Sequence, residues 1–124
     1  MDRDKAYVLW FDELRREDVE IVGGKSSSLG EMTSKTDVPV PYGFATTAYA
    51  YRQFMERTGL DKKIREELKK LTDVEDSALL REVTDNIRAM IVAEDMPEDI
   101  VEAIKDAYAE LGEKMHVDDP FVAV

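Results

Sequence analysis

A mixed α/β fold in which helices dominate is predicted by three features of the sequence. The first is a short, almost unbroken apolar run, Ala6-Tyr7-Val8-Leu9-Trp10-Phe11, too brief for a helix and rich in the residues of buried strands. The second is helical spacing of apolar residues, seen in Leu79, Leu80, Val83, Ile87, Met90 and Ile91, and again in Ile100, Ile104, Tyr108, Leu111 and Met115. The third is a β-prone segment, Phe121-Val122-Ala123-Val124, which follows the turn residues Asp118-Asp119-Pro120. With the shorter elements between them, these give about three short strands and four to five helices.

Taken in order, the first strand leads into a polar connection, Asp12 to Glu20, and through Ile21-Val22 to the pair Gly23-Gly24. Leu29 and Met32, three apart, mark one face of a short helix from about Lys25 to Ser34. Pro39 and Pro41 hold the next stretch extended, because proline disfavours the helical region for the residue before it, and Gly43-Phe44-Ala45-Thr46 reads as a second strand. Thr47 is placed to cap a helix lined by Ala48, Tyr51, Phe54 and Met55, which Gly59 ends in a left-handed conformation. Ile64, Leu68 and Leu71 continue as another helical face. Pro97 suits the first turn of the last helix, and the stripes of the two long helices are expected to pack together. Trp10, Tyr51, Phe54 and Tyr108 fall on these faces and read as core. No repeat, low-complexity stretch or long linker divides the chain.

Composition bounds the function. A length of 124 residues with 44% hydrophobic content suits one domain. No apolar run approaches the roughly 20 residues that cross a bilayer, and Met1-Asp2-Arg3-Asp4-Lys5 is not the start of a secretory signal, so a cytoplasmic protein is expected. Absence of cysteine excludes disulfides, zinc thiolates and cysteine nucleophiles. A formal charge of −11 argues against wrapped DNA or RNA, whose affinity comes from lysine and arginine displacing counterions. A single nucleotide needs only a few donors in a cleft and stays compatible with an acidic exterior.

The candidate chemistry lies at Gly23-Gly24-Lys25. Small residues between a buried run and a helix bring backbone N–H groups and the positive end of a helix dipole together, a site for phosphate oxygens. Lys25 adds a mobile charge, and Ser26, Ser27 and Ser28 add hydroxyls near the helix start. Gly23, Gly24, Lys25 and Ser26 are therefore the candidate nucleotide-binding residues. Neither the Walker pattern, which needs glycine where Val19 stands, nor the dinucleotide fingerprint is present. No catalytic residue and no metal ligand is assigned. His116, the only histidine, follows a helix end and reads as a surface residue, and the carboxylates at Glu66-Glu67, Glu94-Asp95 and Asp118-Asp119 read as solvated faces.

Three blocks carry a resemblance in order along the chain: Val8-Leu9-Trp10, then Val22 to Met32, then Pro39 to Thr47. With Ala48 to Phe54 and Phe121-Val122-Ala123-Val124, they make the sequence similar to the start of the phosphoenolpyruvate synthase (pyruvate, water dikinase) family. The resemblance implies that residues 1–124 are the N-terminal portion of an ATP-grasp nucleotide-binding domain, with Lys25 on ATP phosphates and Gly23 and Gly24 allowing close backbone approach. The family more often has Asn-Ala where this chain has Ser26-Ser27. It also implies that a complete enzyme turns ATP, pyruvate and water into AMP, phosphoenolpyruvate and phosphate, using magnesium and a phosphohistidine. The magnesium-holding acidic residues, the phosphohistidine domain and the pyruvate-binding barrel of that family have no counterpart in these residues. ATP is the expected partner, pyruvate only through other domains, and the last strand is expected to pair with the remainder of the fold or another chain. The alternatives are a stand-alone interaction module of the same fold, or the front end of pyruvate, phosphate dikinase or a related dikinase.

Overall fold

Strand β1 (Val8–Trp10) pairs antiparallel with β2 (Phe44–Thr46), with Leu9 opposite Ala45. In this computed structural model, which describes residues 3–124, the rest is mainly helical. Met1 and Asp2, the head of the polar N-terminal run, lie outside the described residues. Helices α1 (Val19–Val22), α2 (Gly24–Lys35), α3 (Ala48–Arg57), α4 (Leu60–Leu68), α5 (Ser77–Ala93) and α6 (Glu98–Met115) follow in chain order, with short 3-10 turns at Arg3–Lys5, Phe11–Glu13 and Arg16–Asp18. The mixed, helix-rich class expected from the sequence is the observed one.

The chain forms two compact units. One comprises the residues through Arg52 together with Glu98–Val124, the other Gln53–Pro97. In the first, Ala6, Leu9, Leu14 and Ala45 form a buried cluster against which Phe11, Ile21 and Val22 pack. Helix α6 lies on β1, where Lys114 Nζ sits 4.0 Å from the Trp10 ring centroid and the Tyr7 hydroxyl donates to Asp99 Oδ2 at 2.7 Å. Thr47 caps α3 as expected: its Oγ1 accepts from the Ala50 N–H at 3.1 Å and donates to the Ala6 carbonyl.

The second unit is built on α4 packed against α5. Gly59 takes φ +75° between α3 and α4, a left-handed conformation that glycine adopts without a side-chain clash. The Asp76 side chain caps α5 by accepting from the Leu79 N–H at 3.1 Å. Leu60 and Val83 are its most deeply buried apolar side chains.

Several sequence expectations are corrected. Residues 121–124 form no strand: none of the described residues pairs with them, and Phe121 and Val124 are fully exposed. Two strands stand among the described residues where three were expected. Within its own unit α5 packs on α4, and within its own unit α6 packs on β1. On α4 the inward face is turned by one residue, so Glu67 is buried and Leu68 exposed. Glu67 is accommodated because Lys70 Nζ reaches it at 2.9 Å and the Asn86 amide donates to it at 2.7 Å. Tyr51, read as core, is 59% exposed, because Ala50 occupies the inward position of α3.

Candidate functional site

The glycine turn is held by structure in the segment before it, which the sequence had marked only as a polar connection. Phe11–Glu13 and Arg16–Asp18 each make a turn closed by the carboxylate three residues after its cap: Glu13 accepts from the Trp10 N–H and Asp18 from the Arg15 N–H, both at 2.8 Å. Arg3 reaches the same Asp18 carboxylate at 2.8 Å, and this bond, with that of the Arg15 N–H, holds the Asp18 carboxyl below its usual range against the opposing effect of burial. Arg3 is correspondingly raised. The next N–H, that of Arg16, donates to Glu31 Oε2 at 2.8 Å.

Between α1 and α2 stands Gly23, with φ +86° and ψ 168°. That backbone region is open to glycine and strained for other residues. The Gly23 N–H closes α1 on the Val19 carbonyl at 2.7 Å, and the first bond of α2 runs from the Ser27 N–H to the Gly23 carbonyl at 3.1 Å. The N–H groups of Gly24, Lys25 and Ser26 thus lie ahead of that first bond, at the positive end of the α2 dipole, and no side chain of Gly23 caps them. A β-carbon added at Gly23 or Gly24 would meet nothing within 4 Å, so the turn faces open space.

Each sequence-assigned residue can be placed. Gly23, Gly24 and Lys25 are exposed and Ser26 is half-buried, all at the start of one twelve-residue helix. Ser27 belongs to the packing instead: it is buried and its hydroxyl donates to the Gly24 carbonyl at 3.0 Å, tightening the first turn. Glu31, Asp18 and Arg3 were not anticipated as parts of this arrangement. For Asp18 a signal existed, a carboxylate three residues past a turn start. For Glu31 there was none, because its partner lies 15 residues away in sequence.

Elsewhere in the first unit an open depression of about 760 Å³ follows α6, lined by residues including Tyr108, Gly112, His116, Asp118 and Pro120. His116 stands immediately after α6 with φ +57°. Among the described residues no group of three or more histidine and acidic side chains is arranged to hold a metal ion, and no helix is long and apolar enough to cross a membrane.

Most of the chain is similar to known proteins. Residues 19–124 match the family model described as pyruvate phosphate dikinase, AMP/ATP-binding domain. The chain is 47% identical over 118 residues to a protein of Methanocaldococcus jannaschii named a probable phosphoenolpyruvate synthase, with 95% of this chain and 10% of that protein covered. It is 44% identical over 113 residues to one of the same name from Staphylothermus marinus, covering 91% of this chain and 13% of the relative. The phosphoenolpyruvate synthase of Synechocystis is 44% identical over 115 residues, covering 90% and 14%. The chain thus spans between 10% and 14% of the length of these three relatives.

Proposed function

The chain belongs to the family of the pyruvate phosphate dikinase AMP/ATP-binding domain, and on that premise we propose that it binds the phosphate chain of ATP at Gly23, Gly24, Lys25 and Ser26. The observation that carries this reading is the uncapped N-terminus of α2, where three N–H groups, the positive end of the helix dipole and the exposed Lys25 occur together at an open turn. Gly23 and Gly24 let phosphate oxygens approach the backbone, and Lys25 supplies a full charge that follows them. Ser26 stands beside these groups with a hydroxyl to offer.

Residues 1–124 are, in this reading, part of an ATP-grasp-type domain of a cytoplasmic phosphoenolpyruvate synthase. The complete enzyme converts ATP, pyruvate and water to AMP, phosphoenolpyruvate and phosphate. Phosphoryl transfer rests on positioning and on neutralising charge with metal and cationic clamps. The share of this chain, in this reading, is to bind and orient the nucleotide. Pyruvate is met by other parts of the enzyme.

Titration of the chain with ATP by calorimetry tests the reading. Lys25→Ala is expected to weaken ATP binding about tenfold, the worth of one charge-assisted phosphate contact. An unchanged affinity would remove Lys25 from the site. Exposure of Phe121 and Val124 supports a second contact, pairing of residues 121–124 with a strand of the remaining fold or of another chain. Co-elution of the chain with a separately made remainder in size-exclusion chromatography, lost on Val122→Pro, is the expected result.

A further inference from the structure

Resting on the phosphate site just described, we propose that Glu31 is a positioning residue for it, stapling residues 16–22 back along α2 and so fixing how α2 presents its first N–H groups. Residues Arg16–Asp18 and α1 form one continuous helical arm that ends at Gly23, and α2 is the other arm. A single glycine with free access to positive φ does not by itself set the angle between two arms. Something at the far end must. Arg16 stands seven residues before Gly23 and Glu31 eight after it, and their hydrogen bond of 2.8 Å closes the hairpin at nearly equal distance along both arms.

Two further contacts act at the same level. Gly30, adjacent to Glu31, lies so close to Leu14 that an added β-carbon would collide with the Leu14 side chain and stand 2.8 Å from its carbonyl oxygen. Arg15, adjacent to Arg16, has its N–H taken by Asp18, which Arg3 holds in turn. Successive backbone N–H groups are therefore each bound by a carboxylate, one from within the arm and one from across the hairpin. The negative charge of Glu31 also meets the positive end of the 16–22 arm, which adds to the bond. Because the hairpin pivots at Gly23, loss of the staple changes the position of α2 relative to α1 where Gly24, Lys25 and Ser26 present their donors.

The test compares four variants of the full chain by amide exchange and by ATP titration. Glu31→Ala is expected to raise exchange at the Gly23 and Ser27 N–H groups and to weaken ATP binding, each about tenfold, the effect of losing one hydrogen bond to a charged acceptor. Glu31→Gln keeps an oxygen acceptor and is expected to recover ATP affinity to within about threefold. Glu31→Asp keeps the charge but falls short by one methylene, and is expected to behave like the alanine variant. Asn86→Ala, which removes a hydrogen bond to Glu67 in the other unit, controls for general destabilisation and should leave both readouts in place. Folded Glu31→Ala or Glu31→Asp protein with the exchange and affinity of the unaltered chain overturns the proposal. If the amides respond to Glu31→Ala while Lys25→Ala leaves ATP binding unchanged, the staple stands and the phosphate site is what fails.

Discussion

Residues 11–35 and residues 60–93 are both largely helical, yet they are held by different means. The second region is a pair of packed helices, α4 and α5, linked by the Glu67–Asn86 hydrogen bond, with Leu60 and Val83 deeply buried and a side-chain cap on α5 at Asp76. The first has shorter helical pieces, no side-chain cap on α2, and contacts in which backbone itself is the partner: carboxylates on N–H groups and Gly30 against the Leu14 carbonyl. Side-chain packing gives α4 and α5 their place, whereas close backbone approach gives α2 its place. A region that must leave three N–H groups open for a ligand has to obtain its order from elsewhere in its own segment, and residues 11–18 supply it.

The largest effect expected from this contrast comes from a matched pair of substitutions. Leu14 and Leu60 are both completely buried, and either Leu→Ala change should cost about 3 kcal/mol, from lost burial and the cavity left behind. Denaturant unfolding measures that cost. Only Leu14→Ala is expected to alter the exchange of the Ser27 N–H under native conditions. Equal disturbance of Ser27 by both would mean that the two regions respond as one. Next in size is Gly30→Ala, expected to destabilise by about 2 kcal/mol because the new methyl group meets backbone that cannot step aside. Thermal unfolding of that variant beside Gly24→Ala, where the added β-carbon meets nothing within 4 Å, separates crowding from the helix preference of alanine.

The same contrast explains which parts were legible in the sequence. The apolar periods of α5 and α6, the apolar run at β1 and the Gly43 to Thr46 segment at β2, Thr47 as a cap and Gly59 as a left-handed break all have local chemical causes, and the structure has them near the expected residues. Glu67 inside and Leu68 outside could not be read so, because the deciding partners, Lys70 and Asn86, include one from another helix. Phe121–Val124 has the composition of a strand, but a strand also needs a neighbour, which composition does not encode. At the candidate site, Gly23 and Lys25 were visible as a turn and a charge. The carboxylate bonds that order the turn were not, since Arg16 and Glu31 carry no shared pattern. Their meeting follows from the hairpin at Gly23.

A smaller effect should distinguish the caps. Asp76→Ala removes the acceptor of the Leu79 N–H and is expected to cost about 1 kcal/mol, with faster amide exchange confined to the first turn of α5. Gly23→Asp, which would offer α2 a capping carboxylate of its own, is not a fair counterpart because φ +86° strains any side chain there. The uncapped start of α2 is thus enforced by backbone conformation as well as by composition.

Acid should produce the smallest difference and the most selective one. The carboxyls of Asp18, bonded to Arg3 and the Arg15 N–H, and of Glu67, bonded to Lys70 and Asn86, are both held below their usual ranges. A group with a depressed folded pKa contributes stability above its unfolded value, about 4 for these carboxyls, and loses that contribution as pH falls through the folded value. Both regions should therefore weaken below about pH 4. Trp10, the only tryptophan, lies in the first unit, so its fluorescence follows unfolding there. Asp18→Asn is expected to flatten the acid limb seen by Trp10, whereas Glu67→Gln should flatten the acid response of amide exchange in α4 and α5. Arg3 and Lys70 are each well exposed, so added salt should narrow both effects by screening the ion pairs. The bonds to Asp18 from the Arg15 N–H and to Glu67 from the Asn86 amide are screened far less, so each region is expected to keep a residual dependence on pH at high salt.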